Sequence, residues 1–364
     1  MHDAPRPKAD DPDAAAAADR RLLLVAGAGR SGTSTVAGIL RRLGLHVPQP
    51  EVVGDETNPR GFGEPQWVVD FHDDLLHHAR VQVSDARPVA WERTGGFAER
   101  PGARGKLGTW LGSQLEESPR LLVKDPRLAW FLALWESVTR EHAAVPVYLT
   151  MLRPPAEVVG SKRTYYNDRL QDAHGVAAWL NMMLGTERAT RGAPRTFVRY
   201  HDLLGGWEAT VGSALGDLGL GLPRLDPGTR AEIDGFVDPG LRRIQLTWDD
   251  LDLPERLAAL ARDAWTALEA LAADATDSEA TEELDRVGAA YASYYRECEE
   301  VSRSSAIAAR AARRPAAPRS APAPGPPASP TPAGRRSAVR AIARRTPRPL
   351  RRLVPERVRE RLRA

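Results

Sequence analysis

The chain carries short runs of consecutive apolar residues, separated by longer stretches in which apolar residues recur every three or four positions. Short unbroken runs bounded by polar or turn-forming residues are typical of strands buried on both faces, as in a parallel sheet. Alternation of such strands with helices indicates an α/β protein with a mostly parallel central sheet and helices on both sides. The predicted strands are 21–26, 121–123, 146–152 and 196–198.

The longer stretches have helical spacing. Val36, Ile39, Leu40 and Leu43, for example, fall on one face of a helix that begins at Thr33. Further helices are predicted over 127–140, 155–165, 173–191, 228–236, 254–272 and 277–300.

Residues 79–118 show no clear period and contain several glycines. We interpret them as an irregular insertion over the edge of the sheet. Trp91 and Trp110 lie in this region, and we expect them to pack in the core rather than to stack on a ligand.

Charge divides the chain into an acidic body and a basic tail. The net charge is only +3, but residues 303–364 contain 17 arginines and two glutamates, which leaves residues 1–302 at −12. We predict a disordered segment over 1–20, one α/β domain over 21–302, a Pro/Ala-rich linker over 303–334 and a disordered basic tail over 335–364.

The tail has a helical stripe of aliphatic residues, so it resembles a basic amphipathic segment. Such a segment fits an anionic membrane surface, an acidic partner or the acidic body itself, and a solvated tail without a partner is an equal alternative. No aromatic residue follows Tyr295, so neither stacking on single strands nor sequence-specific nucleic-acid binding is expected. The stripe consists of Leu350, Leu353, Val354, Val358 and Leu362.

The single cysteine, Cys298, excludes an intramolecular disulfide framework and a four-cysteine zinc site. No apolar run reaches the roughly 18 residues of a membrane span, and the N-terminus has no basic-then-apolar signal pattern. We therefore expect a cytoplasmic protein, with the basic tail as the candidate for attachment to the inner membrane surface.

A glycine-rich loop over residues 27–35 joins the first strand to the first helix. Glycines let backbone amides turn towards a phosphate, and the helix N-terminus adds positive potential. The spacing nearly matches the nucleotide P-loop, but Thr33 occupies the lysine position and Arg30 lies inside the turn. The loop therefore predicts a phosphate cradle and argues against an ordinary NTPase. A tight turn that binds nothing is the alternative.

With this loop the sequence resembles the sulfotransferases that use 3′-phosphoadenosine 5′-phosphosulfate. Their signatures are an Arg-Ser-Gly-Thr-Ser loop, a strand-end Arg with a Ser eight residues on, a Lys-Asp-Pro-Arg strand end, and a Val-x-Tyr-x-Asp-Leu-Leu pattern. They match 30–34, Arg153 with Ser161, 124–127 and 198–204, in that family's order, and the resemblance covers roughly residues 20–300. It implies a three-layer P-loop-like fold.

The resemblance also implies roles for individual residues. Arg153 and Ser161 would bind the 3′-phosphate, Tyr200 would pack near the adenine, and Lys124 would neutralise the leaving oxygen. A salt bridge for Lys124, pairing of Arg153 with Glu157 and a core position for Tyr200 are the structural alternatives. The residues implied to hold the 5′-phosphosulfate are Arg30, Ser31, Gly32, Thr33, Ser34 and Thr35.

The general base is a carboxylate in this interpretation. Glu64 is the first candidate, because related enzymes carry a glutamate after an Asn-Pro-Arg-Gly sequence; Asp125 is second and Glu56 third. A helix-start carboxylate is the structural alternative for Glu64. The histidines 72, 77 and 78 are expected to be solvated helix residues, and no clustered metal-ligand set is apparent.

The resulting prediction is an enzyme that transfers a sulfuryl group from 3′-phosphoadenosine 5′-phosphosulfate to a hydroxyl or amine, without a metal. The sequence leaves the acceptor open among a small molecule, a glycan, a lipid and a protein tyrosine. A P-loop kinase-like enzyme is an alternative, but it predicts a lysine after Gly32, which is Thr33 here. A non-catalytic nucleotide-binding scaffold is the other alternative, and it predicts loss of the catalytic-type groups.

Overall fold

The structure, a computed structural model, describes residues 20–55, 58, 61–165, 171–238, 240 and 244–313. The predictions made for the N-terminal segment, for Glu56 and for the chain beyond Arg313 lie outside these residues.

Within this part of the chain, four parallel strands form one sheet in the order β2-β1-β3-β4. All four predicted strands are confirmed, with ends within one or two residues of those predicted. Because every strand runs the same way, their carboxyl ends meet at one edge of the sheet, where ligands of open α/β sheets bind. The strands are β1 (Arg21–Ala26), β2 (Arg120–Lys124), β3 (Val145–Leu152) and β4 (Arg195–Arg199).

Helices cover both faces of the sheet, which confirms the three-layer arrangement. Along β1, Leu22 and Leu24 point into one apolar cluster, whereas Leu23 and Val25 point into another. This alternation follows from the two-residue period of a strand. The helices are α1 (Thr33–Arg42), α2 (Gln66–Ala79), α3 (Val89–Gly95), α4 (Pro101–Glu117), α5 (Leu132–Glu141), α6 (Pro155–Tyr165), α7 (Asp172–Ala189), α8 (Tyr200–Gly205), α9 (Trp207–Asp217), α10 (Pro227–Phe236), α11 (Glu255–Leu271) and α12 (Ser278–Arg313), with 3-10 turns at Gly96–Glu99, Leu128–Phe131 and Trp248–Asp250.

The prediction of an irregular insertion over 79–118 is wrong. This segment contains α3, a 3-10 turn and the 17-residue helix α4. Four glycines obscure the pattern of α4, but Ala103, Leu107 and Leu111 are buried at four-residue spacing. At Gly112 a Cβ atom would lie 3.1 Å from the His142 ring, so this glycine permits close packing. Trp91 and Trp110 do pack against other aromatic rings, those of Trp130 and Trp67.

The last described helix is longer than predicted. We expected a helix over 277–300 and a linker from 303, but α12 continues to Arg313. Residues 301–313 are rich in alanine and arginine, both strong helix formers, and the first proline is Pro315. Contacts divide the chain into one unit that ends at Ser305 and another that begins at Ala306. The predicted start of the linker therefore falls inside a helix.

Among the described helices, none combines the length and the apolar character that a bilayer crossing requires.

Candidate active site

The loop between β1 and α1 is shaped by residues with positive φ. Gly27 has φ 132° and Gly32 has φ 90°, and Arg30 adopts φ 76°, which is uncommon for a residue other than glycine. A Cβ atom on Gly27 would lie 2.8 Å from the carbonyl oxygen of Met151 in β3. The amides of Thr33 and Ser34, in the first turn of α1, have no carbonyl to pair with inside the helix. The loop therefore turns tightly into α1 and ends on two backbone N–H groups that the helix does not pair.

Two buried polar atoms beside this turn have no hydrogen-bond partner within the described residues: Ser31 Oγ and Arg153 Nη2. Ser31 is fully buried, and only 5% of Arg153 is exposed. A buried donor that lacks a partner costs about 1–3 kcal/mol, and more when it is charged. Such atoms at the carboxyl edge of a parallel sheet fit an anionic ligand that completes their hydrogen bonds.

The loop contacts helix α6 through a pair of predicted site residues. Arg30 Nε donates a hydrogen bond of 3.0 Å to Ser161 Oγ, and Arg153 Nη1 donates one of 3.0 Å to the backbone oxygen of Arg30. Residues that the sequence assigns to two different phosphate groups are therefore in direct contact.

The guanidinium of Arg153 is held in place by the carboxylate of Glu157. Its Nε donates to Glu157 Oε2 at 2.9 Å, and His201 Nε2 lies 3.1 Å from the same carboxylate. Burial raises the pKa of Glu157, but the bonds from His201 and Arg153 outweigh it and lower the pKa below its usual value. The ionised Glu157 thus holds Arg153 in place, so the predicted alternative, pairing of Arg153 with Glu157, is present in the structure. The Nη2 atom of Arg153 has no hydrogen-bond partner among the described residues.

Tyr200, at the end of β4, is buried beneath these residues. Its ring lies 4.7 Å from the guanidinium carbon of Arg153, a cation–π contact. A Cβ atom on Gly32 would come within 2.2 Å of the same ring. Tyr200 therefore packs against the loop as a buried core residue, which is the structural alternative given for it above. Its contact with an adenine stays a prediction.

Lys124, at the end of β2, uses all three of its N–H donors. Its Nζ donates to Ser34 Oγ at 3.0 Å, to the backbone oxygen of Phe62 at 3.1 Å and to Glu64 Oε1 at 2.6 Å. The lysine is almost fully buried. These bonds bring together the first turn of α1, the end of β2 and the segment before α2, three regions that are distant in the sequence.

Glu64 is buried beside Lys124, with 6% of its surface exposed. Burial raises its pKa above the usual value, and the nearby charge of Asp125 adds to the rise, although Lys124 and Arg127 act in the opposite direction. A raised pKa suits a carboxylate that must take up a proton near neutral pH. Glu64 lies two residues before α2, but no described side chain caps the start of that helix, and the Glu64 carboxylate accepts its hydrogen bond from Lys124.

Asp125 lies in a different, closed arrangement. Its Oδ2 is 2.6 Å from His72 Nδ1, and Arg127 donates to Oδ1 at 2.8 Å. Burial raises the pKa of Asp125, but the hydrogen bond with His72 and the charge and hydrogen bond of Arg127 outweigh it, so the net direction is downward. Asp125 is thus a buried, ionised carboxylate held by two side chains.

The prediction that His72 is solvated is wrong, since its side chain is fully buried. Trp135 Nε1 donates to His72 Nε2 at 2.8 Å, and because indole only donates, Nε2 must be the unprotonated nitrogen. His72 Nδ1 therefore carries the proton and donates a hydrogen bond to Asp125 Oδ2, and the ring is neutral. His77 and His78, on the same helix, are exposed as predicted.

Sequence reasoning missed His72 although a signal was present. Buried residues of α2 fall at positions 68, 69, 71, 72, 75 and 76, and His72 occupies a position of this apolar stripe. It also missed His201, which directly follows Tyr200. The third base candidate, Glu56, is outside the described residues. Among the residues that are described, no group of three or more His, Cys, Asp or Glu side chains is placed to hold a metal ion.

No protein-family model and no curated protein sequence matches this chain. In three dimensions it is similar to the sulfotransferase domain of the olefin synthase from Synechococcus PCC 7002, with a TM-score of 0.39 and 15% sequence identity. The similarity covers 68% of this chain and 94% of that domain. At this TM-score and identity, the two chains share too little for the likeness to assign a function.

Proposed function

We propose that the chain is a sulfotransferase whose donor is 3′-phosphoadenosine 5′-phosphosulfate. The observation that carries the proposal is a pair of buried atoms without hydrogen-bond partners among the described residues, Ser31 Oγ and Arg153 Nη2, at the loop between β1 and α1. The same loop contacts a buried lysine–glutamate pair, Lys124 and Glu64, through Ser34 Oγ. An anion site beside a buried acid–base pair is what sulfuryl transfer needs.

The residues divide into a donor-binding group and a reacting group. Ser31, with the amides of 33 and 34, would hold the 5′-phosphosulfate, and Arg153 with Ser161 would hold the 3′-phosphate. Arg30 contacts Ser161, so it would tie the two phosphate sites together. The unpartnered hydroxyl of Ser31 and the unpartnered Nη2 of Arg153 each supply one donor for such a ligand.

In the reaction, the acceptor oxygen forms a bond to sulfur while the bond between sulfur and the 5′-phosphate oxygen breaks. Glu64, as the carboxylate, takes the acceptor proton. As negative charge develops on the phosphate oxygen, the positive charge of Lys124 stabilises it, and the ammonium exchanges its bond to Ser34 Oγ for one to that oxygen. Ser34, at 3.0 Å from Lys124 Nζ, keeps the ammonium close to the loop.

We assign the base role to Glu64 rather than to Asp125. Asp125 is enclosed by His72 and Arg127 and its pKa is lowered, so it is a poor proton acceptor in a closed position. Glu64 has a raised pKa and lies beside the lysine that would act on the leaving group. Asp125 instead positions the end of β2, from which Lys124 projects.

Calorimetric titration with 3′-phosphoadenosine 5′-phosphate tests the proposal, with adenosine 5′-phosphate, ATP and ADP run in parallel, with and without magnesium. We expect tight binding that needs the 3′-phosphate and not magnesium. Preference for ATP with magnesium would replace the proposal with a P-loop kinase-like enzyme. Failure of all four nucleotides to bind would contradict it and favour a non-catalytic scaffold.

A screen of acceptors with labelled sulfate donor follows from the expected result. Small molecules, glycans and lipids with a free hydroxyl or amine are the classes to include, because the proposed chemistry needs an acceptor with a removable proton.

A further inference from the structure

Lys162, on helix α6, is a buried cation that the proposed mechanism does not use. Only 9% of its surface is exposed. Its Nζ donates one hydrogen bond, of 3.0 Å, to Ser84 Oγ. Within the described residues, the ammonium has no carboxylate near enough for an ion pair and no other hydrogen-bond partner.

The comparison with Lys124 shows what is missing. An ammonium carries three N–H donors. Lys124 directs them to a hydroxyl, a backbone oxygen and a carboxylate, so both its hydrogen bonds and its charge are satisfied. Lys162 has one neutral partner, which leaves two donors and a full positive charge without compensation. Burial accordingly lowers the pKa of Lys162 to about 8.

The described carboxylates closest in sequence to Ser84 and Lys162 already form ion pairs with arginines. Asp85 follows Ser84, but both of its oxygens accept from Arg87. On α6 itself, Glu157 is bound to Arg153. A rearrangement of either carboxylate towards Lys162 would break an existing ion pair, so neither of these two described carboxylates neutralises Lys162.

The composition makes this lysine conspicuous. The chain contains only four lysines among its 51 basic residues. Lys106 is exposed and Lys8 is outside the described residues, whereas Lys124 and Lys162 are both buried. A chain that otherwise uses arginine keeps lysine at two interior positions, one of which lies in the proposed reaction site.

The contact also lies between two elements of that site. Lys162 follows Ser161, which accepts the hydrogen bond from Arg30. Ser84 lies in the segment after α2, the helix that begins just after Glu64, and it is only half-buried. Ser84 is therefore the side of this contact that solvent, and with it a small anion, can reach.

We propose that Lys162 and Ser84 form a subsite for a singly charged oxyanion, a carboxylate or a sulfate ester, carried by the acceptor. That the anion belongs to the acceptor rests on the proposed function, but the binding of the anion does not. One positive charge is neutralised by one negative charge, whereas a phosphate dianion would leave an excess charge in a buried site. Ser84 contributes a hydroxyl that can donate to the second oxygen.

The test uses the full chain labelled with 13C at lysine Cε, in which four signals are expected. The Lys8→Arg and Lys106→Arg substitutions assign two of them, and loss of one of the remaining two signals in Lys162→Arg separates Lys162 from Lys124. The protein is saturated with 3′-phosphoadenosine 5′-phosphate to fill the donor site, and acetate, methyl sulfate and inorganic phosphate are then added separately. Sodium chloride at equal ionic strength is the control.

We expect acetate or methyl sulfate to shift the Lys162 signal saturably and to raise its titration midpoint, while the Lys106 signal follows the chloride control. A shift with acetate alone identifies a carboxylate, and a shift with methyl sulfate alone identifies a sulfate ester. A Lys162 signal that ignores both anions, or that responds equally to chloride, would overturn the subsite.

A second measurement distinguishes anion binding at Lys162 from a purely structural role of this residue. Acetate should raise the melting temperature of the wild type and of Lys106→Met but not of Lys162→Met; equal stabilisation of all three would contradict the subsite. If Lys162→Met does not fold, Ser84→Ala replaces it, and the saturation midpoint for acetate should rise several-fold. If the nucleotide itself does not bind, the proposed function fails, and the same titration of the nucleotide-free protein still decides the subsite.

Discussion

Lys124 Nζ donates a hydrogen bond of 2.6 Å to Glu64 Oε1, and both side chains are buried although 60 residues separate them. Removing either partner leaves the other as an uncompensated buried charge. The same lysine also binds Ser34 in the phosphate loop. The pair therefore places a proton acceptor and a cation next to the proposed donor site, and its chemistry can be tested residue by residue.

Glu64→Gln should lower turnover at least ~100-fold, because the amide cannot accept the acceptor's proton. Affinity for 3′-phosphoadenosine 5′-phosphate should change little, since Glu64 binds Lys124 and not the anion turn. Steady-state kinetics and calorimetry measure the two effects. Glu116→Gln, at an exposed position of α4, is the control and should keep wild-type turnover. Near-normal turnover in Glu64→Gln would remove this residue from the mechanism.

The pH profile of the wild type gives a second readout of the same residue. The base acts when deprotonated, so kcat/KM should fall as the pH drops through the pKa of Glu64, which burial raises above its usual value. The acidic limb should therefore lie above the range of an exposed glutamate when measured between about pH 5 and pH 9. Glu64→Gln should lose this limb, and a limb that persists would assign it to another group.

Arg153→Ala should weaken binding of 3′-phosphoadenosine 5′-phosphate by about 10- to 100-fold, which corresponds to a charge-assisted bond of about 1.5–3 kcal/mol. Binding of adenosine 5′-phosphate, which lacks the 3′-phosphate, should change much less. The variant also removes a partner of Glu157, so Arg153→Lys, which keeps the charge, should recover part of the affinity. Arg140→Ala, at an exposed site, is the control. Unchanged discrimination between the two nucleotides would contradict the assignment.

His72→Leu should destabilise the fold by at least about 2 kcal/mol, because it leaves the Trp135 indole without its partner and removes one of the two side-chain partners of the buried Asp125 carboxylate. The matched control is His78→Leu, an exposed histidine of the same helix, which should stay within about 0.5 kcal/mol of the wild type. Urea unfolding curves measure both. Equal stability of the two variants would show that the His72 bonds contribute nothing net.

The basic tail is a separate expectation, and the structure changes how to test it. Truncation at residue 302 would cut α12, which continues to Arg313, so the shortened chain should end at Arg313. We propose that the residues beyond it bind anionic lipid, at about 1 kcal/mol per basic residue near the surface. In sedimentation with phosphatidylserine vesicles, the full chain should pellet and the shortened chain should not. Equal pelleting would contradict this role.

Local pattern predicted the strands because each is a short, unbroken apolar run, and it placed the candidate residues at one edge because parallel strands share a direction. It failed for α4, where Gly108 and Gly112 interrupt the apolar stripe to admit His142. Pattern also cannot show pairing between distant residues. The Lys124–Glu64 bond and the His72–Asp125 bond each depend on how α2 lies across the end of β2, which only tertiary packing determines.

Gly32 tests whether the phosphate loop must have its present shape. Gly32→Ala should cost about 1–2 kcal/mol for a side chain at positive φ, and more because the new Cβ would meet the Tyr200 ring at 2.2 Å. Gly44→Ala is the matched control: Gly44 also has positive φ, but nothing lies within 4 Å of its Cβ position. We expect Gly32→Ala to lose nucleotide binding and Gly44→Ala to keep it. Both variants carry the same strain at φ, so any additional loss of stability or of nucleotide affinity in Gly32→Ala reports the contact with Tyr200. Urea unfolding measures the stability and calorimetry measures the affinity. Equal behaviour of the two variants would show that this contact does not shape the loop.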